Sequence, residues 1–493
     1  MKPKYQRQPT LKIFSWDVLI LFIIYISLYL VLTLLHPFPD GISDSADYIR
    51  SAVQGRYIGY RPYGYSKFLN LIKGVSNQIP FLIFIQFLIS TCIHIVFAKT
   101  LVHIFNLSKG YKIALYILLA FSLKTIYLTN CILSDSLFTS LTILWTTILI
   151  WIIYSKDSRI TIVLIILTCI VLYITINIRY IGIIYFILTF FVLTLTLCKK
   201  EKNLLFLSFL ILCIMGYKLY HDQVMATKKI TGVHTYSGFS GWQMANNAMH
   251  AVSEIDFNND EIEDPELKNF ISTLSNFDSS TLKADGVTAK YLWLKKLPLK
   301  QYLFDKMNEN QSQYLRTWTK LGKTTYTDFA KYVMIHYPVE YTQNYLIPNL
   351  LETLYPKLDD VYTTSDTAYV SNVILKDHFD FDPSLKMLVR QTPINAVANY
   401  LPIAQLIIWL VLMVILILII AKKVWKKLTK IQTVIFGFIW SVMAGYILFH
   451  IYAAPVYMRH LTPIYFAQIS LIIVGVSTLI MPKYTDDLPN TIP

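Results

Sequence analysis

The sequence predicts an all-α polytopic membrane protein, and two observations carry that prediction. Hydrophobic residues fill 55% of the 493 positions and charged residues only 15%, where soluble domains carry about a quarter charged. The apolar residues also gather into blocks near the roughly 20 residues that a helix needs to cross the hydrocarbon layer. Inside lipid a segment must satisfy its own backbone hydrogen bonds, so each block reads as a helix.

The blocks fall at 14–35, 79–97, 113–128, 137–154, 160–176, 180–197 and 204–220, then at 400–420, 434–452 and 461–480. That makes about ten spans, each near the length a bilayer demands. The first block is too long, and lacks the small-residue cleavage site, for a signal peptide, so it is expected to be retained.

Lysine and arginine set the expected orientation, because short cytoplasmic loops are enriched in them. Lys2, Lys4, Arg7 and Lys12 precede the first span. With that end inside, Lys99, Lys109 and Lys112, then Lys156 and Arg159, then Lys199, Lys200 and Lys202, and the run Lys422 to Lys430 all fall inside as well. Every second loop agrees, which implies an even number of spans with both termini cytoplasmic. Anionic lipid head groups account for much of the +14 formal charge, so membrane lipids and no nucleic acid are the expected partners. The five cysteines all sit in or beside spans, with neither a disulfide framework nor zinc spacing.

Three regions follow. Residues 1–220 form an N-terminal bundle whose first outer loop is 36–78, residues 221–398 an extracytoplasmic domain, and residues 399–493 the last spans. The region 221–398 is too long for a passive connector. Its helical patterning at 327–336 and 341–355, interrupted by Pro338, Pro348 and Pro356, predicts a mostly helical cap.

The first outer loop is the densest chemical feature. It reads Asp40-Gly-Ile-Ser-Asp44-Ser-Ala-Asp47-Tyr48, then Arg56, then Arg61-Pro-Tyr-Gly-Tyr65-Ser-Lys67. A lone outward carboxylate is usually only solvated. Several carboxylates with arginines and tyrosines beside lipid-buried helices make a better candidate site.

This layout resembles the first outer loop of GT-C glycosyltransferases, the polytopic enzymes that use polyprenyl-phosphate sugars, such as protein O-mannosyltransferases and the lipid A aminoarabinose transferase. Their pattern is an acidic residue, a nearby tyrosine and a later Arg-Pro-Pro-Gly-Tyr-Pro-like run. Here Ser43 to Tyr48 and Arg61-Pro62-Tyr63-Gly64-Tyr65 match it, with Tyr63 and Ser66 in place of the two later prolines. Leu133-Ser-Asp135-Ser-Leu-Phe138, Asn177-Ile-Arg179-Tyr180 and Pro455-Val-Tyr-Met-Arg459-His460 are similar to the family's later acidic and arginine motifs. All four land on the outer side under the topology set by inner-loop charge. The chain departs from the family in placing its soluble region between spans.

The resemblance implies a GT-C-like bundle and an inverting glycosyltransferase at the outer face of a bacterial inner membrane. Its donor would be a polyprenyl-phosphate-linked sugar and its acceptor an envelope glycan, lipid or protein. Asp44 is the expected catalytic base, because a carboxylate within hydrogen-bond reach can deprotonate the attacking acceptor; Asp135 is the second candidate catalytic group. Arg61, Arg179 and Arg459 are the candidates for the lipid phosphate, since guanidinia suit phosphate oxygens and stabilise the charge a leaving phosphate gains. Lys124 and His460 stand behind them, with Asp47, Tyr48 and Tyr65 lining the site. Two carboxylates three residues apart are few for a divalent-cation cage, so neither metal nor cofactor is expected.

Each residue also has a structural alternative. Arg61 can snorkel to head groups, Asp135 can cap the fourth span, and His94 and His450 lie inside spans where packing is the commoner role. Competing functions are a transporter or flippase, and a polymerase or ligase, of lipid-linked saccharides. The sequence shows no paired interrupted spans of the kind that often mark secondary transporters.

Overall fold

The computed structural model describes residues 16–35, 43–59, 61–198, 201–258, 262–274, 277, 285–307, 313–358, 378–380 and 397–480. Among them the chain is helical, with no strand and only two isolated bridges, Gln78 with Asp380 and Lys357 with Tyr457. Nine helices among the described residues are long and apolar enough to cross a membrane. In the first half these are α1 (Trp16–Leu35), α4 (Ile79–Phe105), α7 (Ser134–Tyr154), α8 (Ser158–Ile178), α9 (Ile183–Leu197) with its preceding 3-10 turn, and α10 (Lys202–Thr231). Three more, Leu401–Ala421, Lys430–Ala453 and Met458–Ile480, follow the intervening region.

The expected third span differs. The block 113–128 is divided into α5 (Lys109–Ala120) and α6 (Leu123–Thr129), with the break at Phe121 and Ser122. Ser122 supplies the reason, because its hydroxyl accepts from the Thr125 backbone N–H and caps a new helix. The two pieces together still return the chain to the other side. Lys112 on α5 pairs with Asp17 at 3.0 Å, while Gln86, near the opposite end, donates to the carbonyls of Thr129 and Cys131.

Sidedness within the bundle is physically legible. Asp17 at the start of α1 meets Lys99 of α4 at 3.1 Å and accepts from Tyr116 of α5. Gln432 donates to the Ile104 carbonyl at 2.8 Å, and Lys427 to the Leu479 carbonyl at 3.1 Å. The basic loops thus share one end of the bundle, opposite the first loop's carboxylates.

α7 is the central post: its apolar window is 89% buried, against 22% for Leu401–Ala421, which therefore lies at the periphery. Small polar residues make that centrality feasible. Ser140, Thr142, Thr146 and Thr147 each return a hydroxyl to the carbonyl four residues back, so these four ask for no partner on the neighbouring helices. Trp145 and Tyr185 stack at 4.5 Å, and the Trp145 indole donates to Thr189.

α10 runs to Thr231, past the expected end of its span, and stops where Gly232 takes φ +71°, a left-handed cap conformation that glycine adopts without penalty. Beyond it a second hydrophobic core forms around Trp242, Phe270, Tyr291, Tyr326 and Tyr345. Its helices include α11 (Ser240–Met249) and α12 (Pro265–Leu274). Asp264 caps α12 by accepting from the N–H groups of Glu266 and Leu267 at 2.8 Å. Pro348, expected to interrupt a helix, does not. Residues Thr342–Leu346 widen into a π turn, which relieves the lost proline N–H, and the helix continues as Ile347–Glu352.

One lysine of this second core has no carboxylate partner among the described residues. Lys300 donates to the Tyr314 hydroxyl at 2.8 Å and lies 4.9 Å from the Trp242 ring centre and 5.7 Å from that of Trp293. Burial pulls its ammonium down from 10.5 to about 8. The folded state then binds fewer protons than the unfolded chain between about pH 8 and 10.5, so stability rises across that window and the full penalty applies below it. Lys300→Met is expected to raise stability at pH 7 by about 1 kcal/mol and to flatten the rise between pH 8 and 10. Thermal unfolding at three pH values checks it, and an unchanged slope overturns it.

Candidate functional site

The site forms where four distant segments meet at the end of the bundle opposite the basic loops. α2 (Ser43–Val53) starts just after the first span, and both Asp44 and Asp47 lie in its first turns. Arg61 reaches both: its Nη2 donates to Asp44 Oδ1 at 2.5 Å and its Nε to Asp47 Oδ2 at 3.3 Å. Arg459 approaches the other oxygen of Asp44 at 3.5 Å across 415 residues of chain. Asp47 also takes Arg50, one helical turn on, at 3.3 Å.

A second pair lies alongside. Arg179, between α8 and α9, donates to Asp135 in the first turn of α7. Asp135 is buried, and the N-cap of α7 is Leu133, which makes no side-chain cap bond. Asp135 is therefore an ion-pair partner and not the cap that its position in the sequence also allowed. Its guanidinium partner lies 5.8 Å from the Phe138 ring centre.

The tyrosines tie these pairs together. Tyr48 shares a hydrogen bond with Ser134 at 2.8 Å, next to Asp135, and Arg61 lies 5.6 Å from its ring centre. Tyr65 packs edge-on against Tyr48 and donates to Gln86 at 2.7 Å. It is fully buried, so it supports Tyr48 from behind. His460 lies beside Arg459, but its Nδ1 accepts from the Tyr457 N–H and its ring faces His450 at 4.6 Å. Lys124 falls on α6, and its side chain, like Tyr60 and Asp40, lies outside the described residues.

Gly64 explains how the first loop meets Arg179. A Cβ there would lie 2.4 Å from the Asn177 carbonyl oxygen and 2.9 Å from the Ile178 nitrogen. The glycine of the Arg61 to Tyr65 motif thus lets α3 (Gly64–Lys73) sit directly on the backbone that leads into Arg179. Ser66 and Asn70 of α3 bind the carbonyls of Tyr48 and Ala52, which locks α3 to α2.

Electrostatically, three guanidinia face two carboxylates, Asp44 and Asp135, while Asp47 is balanced by Arg50. The centre therefore keeps positive charge for an anion. Burial disfavours the ionised form of Asp44, but Arg61, Arg459 and Arg179 outweigh it and hold the carboxyl below its ordinary value of 3.8. Asp44 is ionised throughout the neutral range, and its contribution to stability is present above 3.8 and lost as pH falls through the lower folded value.

Neighbours that sequence reading missed are Ser134, Gln86, Tyr446 and the asparagines Asn247 and Asn349. Tyr446 donates to the His460 carbonyl at 3.0 Å. Gln86, Asn247 and Asn349 carry no local mark, since each matters through a partner far away in sequence. Comparison with protein-family models, curated proteins and solved structures found no match to this chain.

Proposed function

We propose that this protein is an inverting glycosyltransferase of GT-C type that moves a sugar from a polyprenyl-phosphate donor to an acceptor in the cell envelope. The observation that supports this most is the convergence of Asp44, Arg61, Arg179 and Arg459, from three separate segments, on one cationic centre at the end of a membrane bundle. In this reading the guanidinia take the donor phosphate and stabilise the charge it gains on leaving. Asp44 accepts the proton of the attacking hydroxyl or amine.

The ion pairs suggest an order of events. A phosphate that draws Arg61 and Arg459 to itself leaves Asp44 with fewer cations, and so raises its proton affinity as the acceptor arrives. Asp135 then acts as the counter-ion that keeps Arg179 in place. The charge pattern of the loops supports a bacterial inner membrane location with both termini cytoplasmic and the second core outside.

The divided span gives the transporter reading one specific observation, because interrupted helices often line substrate paths in transporters. Among the described residues it is a single interruption, without the paired partner that such transporters carry. Mass-resolved comparison of envelope glycans with and without the protein separates the readings. Loss of one sugar from a defined acceptor is expected. Accumulation of an intact lipid-linked saccharide, with every sugar linkage still formed, would instead favour transport.

A further inference from the structure

The helix Lys430–Ala453 ends immediately before Pro455, four residues ahead of Arg459. Its last carbonyls have no partner within the helix, and they are taken by side chains of the second core. Asn349 Nδ2 donates to the carbonyls of Ile451 at 2.8 Å and Ala454 at 2.9 Å. Asn247 Nδ2 donates to those of Tyr452 and Ala453, both at 3.1 Å. Both asparagines are fully buried.

The turn that follows is held just as completely. The Val456 N–H donates to Asn349 Oδ1 at 2.8 Å, and Met458 N–H donates to the Lys357 carbonyl at 2.9 Å. Tyr457 N–H goes to His460, and Pro455 has none to give. Every backbone donor from Ala454 to Met458 is therefore used, and two of the four partners come from the second core. Asn349 itself sits just beyond the π turn, where Pro348 would otherwise have ended its helix.

We propose that Asn349, assisted by Asn247, is a positioning residue through which the second core sets the Arg459 guanidinium against Asp44. That role in donor binding rests on the phosphate reading above, while the positioning itself does not. A two-way amide is suited to this, since one side chain both accepts from the turn and donates to the helix end. The site on the bundle is then complete only when the second core is docked, which couples whatever that core binds to the strength of the phosphate site.

The test uses the full chain in detergent with phenylglyoxal, an arginine-selective reagent, and reads modification of Arg61, Arg179 and Arg459 separately by peptide mass. Asn349→Ala is expected to raise modification of Arg459 about tenfold, the equivalent of roughly one net neutral hydrogen bond, with Arg61 and Arg179 little changed. Asn247→Ala leaves the Asn349 contacts intact and should show a smaller rise in the same residue. It decides the matter if Asn349→Ala does not fold.

Wild-type reactivity at Arg459 in folded variants, or an equal rise at all three arginines, overturns the proposal. Farnesyl phosphate binding supplies the second arm. Asn349→Ala should weaken it, and should add nothing to Arg459→Ala, whereas independent losses would remove the link between the two residues. If the wild-type chain does not bind farnesyl phosphate, the phosphate reading fails, and the modification pattern still decides the positioning.

Discussion

Asp44→Asn is expected to reduce sugar transfer by about 10²- to 10⁴-fold, the usual worth of a general base, while donor binding and folding survive. The amide keeps the size of the carboxylate and can still accept from Arg61 and Arg459, but it takes up no proton at neutral pH. The guanidinia stay together, so the phosphate site persists. Asp47→Asn is the comparison, because Asp47 meets Arg50 as well as Arg61, and its loss should be the milder one.

The pH profile gives an independent reading of the same step. Asp44 is held below 3.8 in the free protein, so the acid limb of kcat/KM is not expected from it near neutrality. If the donor phosphate draws the arginines away, the acid limb of kcat, which reports the complex, should lie higher than that of kcat/KM. Coincident limbs would leave Asp44 clamped throughout turnover. Near wild-type transfer by both asparagine variants would place the active site elsewhere and favour transport.

The second large effect is expected at Arg179. Its removal leaves the buried carboxylate of Asp135 without its counter-ion, and breaking such a pair from one side typically costs about 3–5 kcal/mol. Arg179→Ala should thus lower thermal stability sharply, and transfer with it. Replacing both partners, as Asp135→Asn with Arg179→Gln, removes the two charges together and should recover most of the stability. Transfer should stay low, because the third guanidinium is still missing from the centre. Recovery of activity along with stability would reduce the pair to an anchor, and wild-type stability in Arg179→Ala would mean that Asp135 is not held as the structure has it.

The contrast between Arg179 and Arg61 shows why equal motifs carry unequal weight. Arg61 contacts two carboxylates on the helix that follows the first span, and its side chain retains some exposure. Arg61 is thus held by two partly exposed carboxylates rather than left to snorkel, whereas Arg179, no more buried itself, answers a carboxylate that water barely reaches. Tyr65 teaches the same lesson in reverse. It looks like a lining residue in the Arg-Pro-Tyr-Gly-Tyr run, yet its hydroxyl is spent on Gln86 within the bundle.

What the sequence determined by itself follows from forces that act over a few residues or one bilayer thickness. Apolar blocks of helical length placed the nine helices among the described residues that are long and apolar enough to cross a membrane, because a helix satisfies its own backbone in lipid. Lysine placement grouped the loop ends that the structure brings together around Asp17 and Lys427. The acidic and arginine motifs marked Asp44, Asp47, Arg61, Asp135, Arg179 and Arg459, since charges beside lipid are costly without partners. The tertiary structure alone decided which charge meets which, that Ser122 divides the third block, and that Gly64 clears the way for α3 to rest on the Asn177 backbone. It alone showed Asn247 and Asn349 closing a helix end one to two hundred residues away. Such contacts depend on three-dimensional proximity between segments, and no local propensity or charge pattern records where a distant carbonyl will be left without a donor.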